Sequence, residues 1–177
     1  MNEYKLVFTG AMGAGKTTAI EAISEVPIVN TDVSNTDYSS SKLLTTVGLD
    51  YGLLELESGD RVRLFGTPGQ SRFDFMWKIL VKDAFGIIIL IDNSSKNPLD
   101  DLSTYLAGLK DELAELPCVV GLGRTENHPE PKEDDYAELL KQHGLVLPII
   151  PMDARRKEDV ILLIDLILAQ RESLDLD

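Results

Sequence analysis

Residues Gly10-Ala11-Met12-Gly13-Ala14-Gly15-Lys16-Thr17 read G-x4-G-K-[ST], set between an apolar run at 4–9 and a segment of helical character at 16–25. This spacing constrains the fold more than any other stretch of the chain. Glycines let backbone N–H groups turn inward around phosphates, the lysine reaches the outer phosphate oxygens, and the following hydroxyl suits Mg²⁺. The pattern predicts a strand, a phosphate-cradling loop and a helix in succession. Gly10, Gly13, Ala14, Gly15, Lys16, Thr17 and Thr18 would then lie against a nucleotide.

Short β-rich runs alternate with helical segments along the rest of the chain. Runs 47–56 and 61–65 flank the turn Glu57-Ser58-Gly59-Asp60 and read as a hairpin. Runs 86–91, 118–122 and 146–151 read as further strands, and 71–84, 98–116, 132–143 and 157–172 as helices, the third closed by Gly144. This order predicts an α/β domain over residues 1–177, with a six-stranded, mostly parallel sheet, one antiparallel edge strand and helices on both faces. Ligands bind outside the carboxyl ends of such strands, which here are Thr9, Phe65, Ile91, Leu122 and Pro151.

Thirty acidic residues against seventeen Lys and Arg give a formal charge of -13, which argues against nucleic acid and anionic lipid as partners. The acidity is uneven. Residues 1–88 hold eleven acids and eight bases, whereas 89–177 hold nineteen and nine, so the phosphate loop lies in the nearly balanced half. A single cysteine, Cys118, excludes an internal disulfide and a cysteine metal cluster. With no signal-peptide layout, lipidation box or long apolar run, the chain is expected to be cytoplasmic, without an intrinsic membrane anchor.

The hairpin opens at Thr46-Val47-Gly48-Leu49-Asp50-Tyr51. It returns into Leu64-Phe65-Gly66-Thr67-Pro68-Gly69-Gln70 and continues as Ser71-Arg72-Phe73-Asp74-Phe75-Met76-Trp77. Together with the loop at 10–17, these segments resemble the Ras-like small GTPases, and among them the prokaryotic MglA-like branch. That branch carries a Thr-Thr-Val-Gly-hydrophobic-Asp segment and a Gly-Thr-Pro-Gly-Gln-x-Arg-Phe segment. The resemblance spans residues 4–169 and implies a P-loop small G domain. Such a domain binds GTP and GDP with Mg²⁺ and acts as a nucleotide-dependent switch.

By the same resemblance, Thr46 would place its hydroxyl on Mg²⁺ beside that of Thr17, and its N–H on the γ-phosphate. Gly69 would donate its N–H to that phosphate, Gln70 would orient the attacking water, and Lys16 would complete the catalytic set. A Roadblock-type regulatory protein is the implied partner. The large residues Phe73, Phe75, Met76 and Trp77 suggest a surface for one, and the polar stretch 30–42 reads as a switch loop.

The chain departs from the family pattern in three ways. Gly66 stands where most small GTPases hold Mg²⁺ through an aspartate, leaving the ion to Thr17, Thr46 and the phosphates. Asp92 either helps it indirectly or caps its own loop. Met12 replaces a glycine and would crowd an arginine finger, so hydrolysis is expected to be slow or to draw on Arg72 or Lys42. At the base, Gly123-Arg124-Thr125-Glu126 replaces Asn-Lys-x-Asp and Asp153-Ala154-Arg155 replaces Ser-Ala-Lys. Arg124 would cover the ring with its stem, Glu126 would pair with guanine, and the Ala154 N–H would meet the guanine oxygen. Two readings follow: a slow GTPase, and a pseudo-GTPase scaffold with little turnover and relaxed base choice. A P-loop small-molecule kinase would share residues 10–17, but the chain has no obvious arginine-rich lid segment.

Overall fold

The computed structural model describes residues 1–30, 49–69 and 74–176. At its centre lie two strands, β1 (Glu3–Thr9) and β5 (Gly86–Asp92), paired in parallel. Successive strand residues point to opposite faces. Leu6, Phe8, Ile88 and Leu90 therefore join one core, and Val7, Ile87, Ile89 and Ile91 the other. Unbroken apolar runs are what strands covered on both faces require.

The sheet is completed by β2 (Val29–Asn30), β3 (Asp50–Glu55), β4 (Arg61–Gly66), β6 (Cys118–Gly123) and β7 (Ile149–Pro151). The strand order is β2-β3-β4-β1-β5-β6-β7. All six expected strands form, and the two-residue β2 extends the edge beyond the antiparallel β3. Every other pairing is parallel. The β3–β4 turn is closed by the Leu56 N–H donating to the Asp60 carbonyl at 2.8 Å, with Gly59 at φ 87°. Asp50 thereby pairs with Gly66.

One face is covered by α1 (Lys16–Ile23) and α6 (Lys157–Asp175), which bury Ile20, Ile23, Val160, Leu163 and Ile167. The other is covered by α2 (Asp74–Val81), α3 (Pro98–Gly108), α4 (Lys110–Leu113) and α5 (Glu133–Gln142). These bury Trp77, Val81, Leu102, Tyr105, Leu106, Leu113, Tyr136 and Leu140. Full burial of one Leu or Ile side chain is worth about 2 kcal/mol, so both layers are needed to hold a sheet this wide.

The structure corrects several boundaries. The helix expected over 98–116 is two helices, broken at Leu109 (φ −115°, ψ 23°) after Gly108, a weak helix former. The last strand begins at Ile149, and Val146 is 98% exposed. The first helix stops at Ile23, where the extended Ser24 caps it through its N–H to the Ile20 carbonyl. The last helix runs on to Asp175. Gly144 does close α5, with φ 72° and its N–H on the Lys141 carbonyl at 2.9 Å. Residues 47, 48 and 71–73, assigned to a strand and a helix from sequence, lie outside the described residues. Among the described residues no helix is long and apolar enough to cross a membrane.

Candidate nucleotide-binding site

The loop between β1 and α1 opens at the carboxyl end of the central strand. Gly10 adopts φ 146°, and a Cβ there would collide with the Leu90 carbonyl oxygen of β5, so only glycine lets the chain turn at this point. Lys16 begins α1, and its side chain folds back to donate from Nζ to the Gly10 carbonyl and to the Ala11 carbonyl at 3.0 Å. Lys16 is buried, and burial lowers its ammonium pKa to about 8 although nearby Asp50 pulls the other way. Thr17 and Thr18 are exposed on the first turn of α1.

Asp50 is the residue that sequence reasoning missed. It is 5% exposed, and its Oδ2 accepts the Thr17 hydroxyl at 2.5 Å. Its cross-strand neighbour is Gly66, where an added Cβ would lie 3.1 Å from Asp50 Cβ and 3.2 Å from its Oδ2. The glycine on β4 leaves room for a carboxylate that arrives from β3. The signal was present in the hairpin, because a turn that pairs Leu56 with Asp60 sets residue 50 opposite residue 66.

A cavity of about 580 Å³ joins the start of α1 to the loops after β6 and β7. Ala14, Gly15, Thr18, Arg124, Glu126, Asp153, Ala154 and Arg155 all line it, so the phosphate loop and both expected base segments share one cleft. Ala154 packs closely on Gly15, where an added Cβ would come within 3.1 Å of the alanine methyl. Arg124 has φ 61°, and its Nη1 donates to the Gly13 carbonyl at 3.1 Å and pairs with Asp92. Asp92 also accepts the Ser94 N–H at 2.8 Å and the Ser94 hydroxyl at 2.6 Å. Both carboxylate oxygens of Asp92 are thus engaged in this joint, as in a residue that caps its own loop.

Asn93 supports the loop from below, a function its sequence context did not betray. It is buried and donates from Nδ2 to the carbonyls of His128 at 2.6 Å and Pro131 at 3.1 Å, while accepting the Tyr136 hydroxyl at 2.5 Å. In the other loop, Arg155 donates its backbone N–H (2.9 Å) and Nε (3.0 Å) to Asp153 Oδ1 and its Nη2 (2.8 Å) to Oδ2. These bonds hold the Asp153 carboxyl down at a pKa of about 2. The Asp153 N–H donates to Asp159 at 2.8 Å.

Beyond β4 the chain is anchored by buried polar contacts. Thr67 shares a hydroxyl–hydroxyl bond with Thr9 at 2.8 Å, and Trp77 donates from Nε1 to the Pro68 carbonyl at 3.1 Å. Gly69 lies directly on the phosphate loop, where an added Cβ would collide with the Met12 nitrogen. Of the aromatic cluster after Gln70, Trp77 belongs to the core and Phe75 is exposed. Thr46, Gln70, Arg72, Lys42 and Phe73, with most of the polar stretch 30–42, lie outside the described residues.

A phosphate loop at the end of the central strand, in a mostly parallel sheet with one antiparallel hairpin, defines a small G-domain fold. The comparisons point the same way, at a distance. No family model matches the chain. It is 23% identical over 169 residues to ADP-ribosylation factor-like protein 3 of Saccharomyces cerevisiae, covering 90% of this chain and 82% of that protein. It is 27% identical over 114 residues to GTP-binding protein ypt2 of Schizosaccharomyces pombe, covering 63% of this chain and 52% of the relative. It is 30% identical over 112 residues to human DnaJ homolog subfamily C member 27, covering 62% of this chain and 37% of the relative. The matches thus span about half or less of the latter two proteins. This distant likeness supports a Ras-like small GTPase.

Proposed function

We propose that this chain is a GTP- and GDP-binding switch of the MglA-like kind, which hydrolyses GTP slowly with Mg²⁺ and works in the cytoplasm. One observation carries the reading: a single cleft joins the Lys16 loop to both base segments. Lys16 holds the phosphates, Gly69 and Thr46 contact the terminal one, and Gln70 orients the water. Arg124 covers the base, Glu126 pairs with it, and the Ala154 N–H meets its oxygen.

The donors fit Mg²⁺, which favours hard oxygen ligands shared with phosphates. The Thr17 hydroxyl and Asp50 carboxylate meet beside the buried Lys16. Thr17, Thr46 and Asp50 would hold the ion, Asp50 standing in for the aspartate that Gly66 replaces. When bound, it neutralises phosphate charge as negative charge shifts toward the leaving group.

A Roadblock-type regulatory protein is the proposed partner. It is supported by the exposure of Phe75 and Ile79, one turn apart on α2, at 55% and 61%. A second reading, a pseudo-GTPase scaffold with relaxed base choice, draws on the base end, where Arg124 and Asp153 are engaged with protein groups and Glu126 replaces the shorter aspartate. Competition of GTP and ATP against mant-GDP, with phosphate release from wild type and Gln70→Ala, separates the two. A GTPase switch prefers GTP and loses turnover in the variant. Equal competition by ATP and no release from wild type would establish the scaffold.

A further inference from the structure

Trp77 is the sole tryptophan of the chain and is 1% exposed. Its indole N–H is committed to the Pro68 carbonyl at 3.1 Å. Its ring packs against the buried Tyr105 of α3, with centroids 4.4 Å apart, and the Tyr105 hydroxyl lies 3.5 Å from the Gly69 carbonyl. Gly108 of α3 makes room for the indole, since a Cβ there would come within 3.1 Å of Cζ3. One aromatic pair therefore bonds the carbonyl of residue 68 and lies beside that of residue 69.

A planar trans peptide carries its C=O and its N–H on opposite edges. Among the described residues only the Glu130–Pro131 bond is cis, so the Pro68–Gly69 peptide is trans. Aiming the Pro68 carbonyl at Trp77 thus turns the Gly69 N–H to the opposite side, away from the indole. Gly69 itself is packed on the phosphate loop, where its added Cβ would stand 2.8 Å from Met12 Cα and 2.9 Å from the Ala11 carbonyl carbon.

We propose that Trp77, seated by Tyr105 and Gly108, fixes the direction of the Gly69 N–H and so sets how well the site distinguishes a nucleoside triphosphate from a diphosphate. The inference rests on the proposed reading of the Gly10 to Thr17 loop as a GTP/GDP site and of the Gly69 N–H as a donor to the terminal phosphate. All three are positioning residues, acting through the Pro68 and Gly69 carbonyls, and none of them lines the cleft beside Gly15. The burial of Trp77 and Tyr105 gives the device its stiffness: a buried carbonyl that loses its donor must find another or turn.

Three variants of the 177-residue chain test this. Trp77→Phe keeps an aromatic ring in the socket and removes the donor, Tyr105→Phe removes the hydroxyl, and Gly108→Ala crowds the indole from outside the cleft. Each is titrated with mant-GDP and mant-GppNHp at saturating Mg²⁺, and each is melted. Trp77→Phe should weaken mant-GppNHp binding roughly tenfold, the worth of one backbone donor on a charged phosphate, and leave mant-GDP within about twofold. Gly108→Ala and Tyr105→Phe should move the ratio the same way by smaller factors. Equal weakening of both nucleotides, or an unchanged ratio beside a lowered melting temperature, would reduce the trio to packing and overturn the proposal. Should Trp77→Phe fail to fold, the other two ratios decide on the same terms. Wild type that binds neither probe would overturn the nucleotide reading itself, a different result from wild-type binding with unmoved ratios.

Discussion

Beside the phosphate loop, Lys16 and Asp50 are 8% and 5% exposed, Lys16 bonded to loop carbonyls and Asp50 to the Thr17 hydroxyl of α1. At the base end, the side chains of Arg124 and Arg155 are 54% and 82% exposed, and each is paired with an acid on its own loop or the adjoining strand. Buried charges act through a weakly screened field and leave a large deficit when a partner is lost. Exposed pairs are screened by solvent and contribute little. On the proposed reading, affinity would belong to the phosphate end, while base choice would rest on contacts that are weak one by one.

The sharpest way to break that contrast is Lys16→Met. Loss of a buried ammonium with charge-assisted bonds to phosphate should cost about 100-fold in mant-GDP affinity. A loss below about tenfold in the titration would move the grip elsewhere.

pH tests the same lysine without mutation. The Lys16 pKa is about 8 in the folded chain against an ordinary 10.5, so between those values the unfolded chain binds the extra proton. Stability of nucleotide-free protein should then rise with pH from about 8 to 10.5 through this group, since slope follows the protons bound by the unfolded minus the folded chain. If Lys16 holds the phosphates as proposed, binding would need the charged ammonium, and affinity should fall up to about tenfold per pH unit above pH 8. Melting and mant-GDP titrations from pH 7 to 10, with Lys16→Met as reference, read both slopes.

Asp50→Asn comes next. It preserves volume and the Thr17 contact but removes the charge, and the Mg²⁺ concentration for half-maximal mant-GppNHp binding should rise roughly tenfold. An unchanged Mg²⁺ titration would detach Asp50 from the ion. The smallest effect is expected at the exposed end: Arg124→Ala should weaken guanine nucleotides by about threefold, consistent with a solvent-screened pair. A loss as large as that of Lys16→Met would erase the distinction between the two ends.

Much of this was legible from residues alone. The glycine spacing at 10–15 marked the loop, the apolar runs at 86–91 and 118–122 marked strands covered on both sides, and Gly144 marked a helix end. The break at Leu109 was masked because the leucine spacing continues through it, although Gly108, a weak helix former, stands just before it. The fate of the aromatic run after Gln70 was equally hidden. Trp77 and Phe75 lie two apart, but helical geometry sends one into the core against Tyr105 and the other into solvent.

Local pattern by itself determined the class of fold and the phosphate loop, because turn chemistry and strand periodicity act over a few neighbouring residues. Tertiary structure alone decided which distant polar groups meet. Asp50 reaches Thr17 across 33 positions, Arg124 reaches Gly13 across 111, and Asn93 props a loop 35 residues away. Such contacts depend on strand register and sheet order, which bring distant segments together only when the whole sheet has formed.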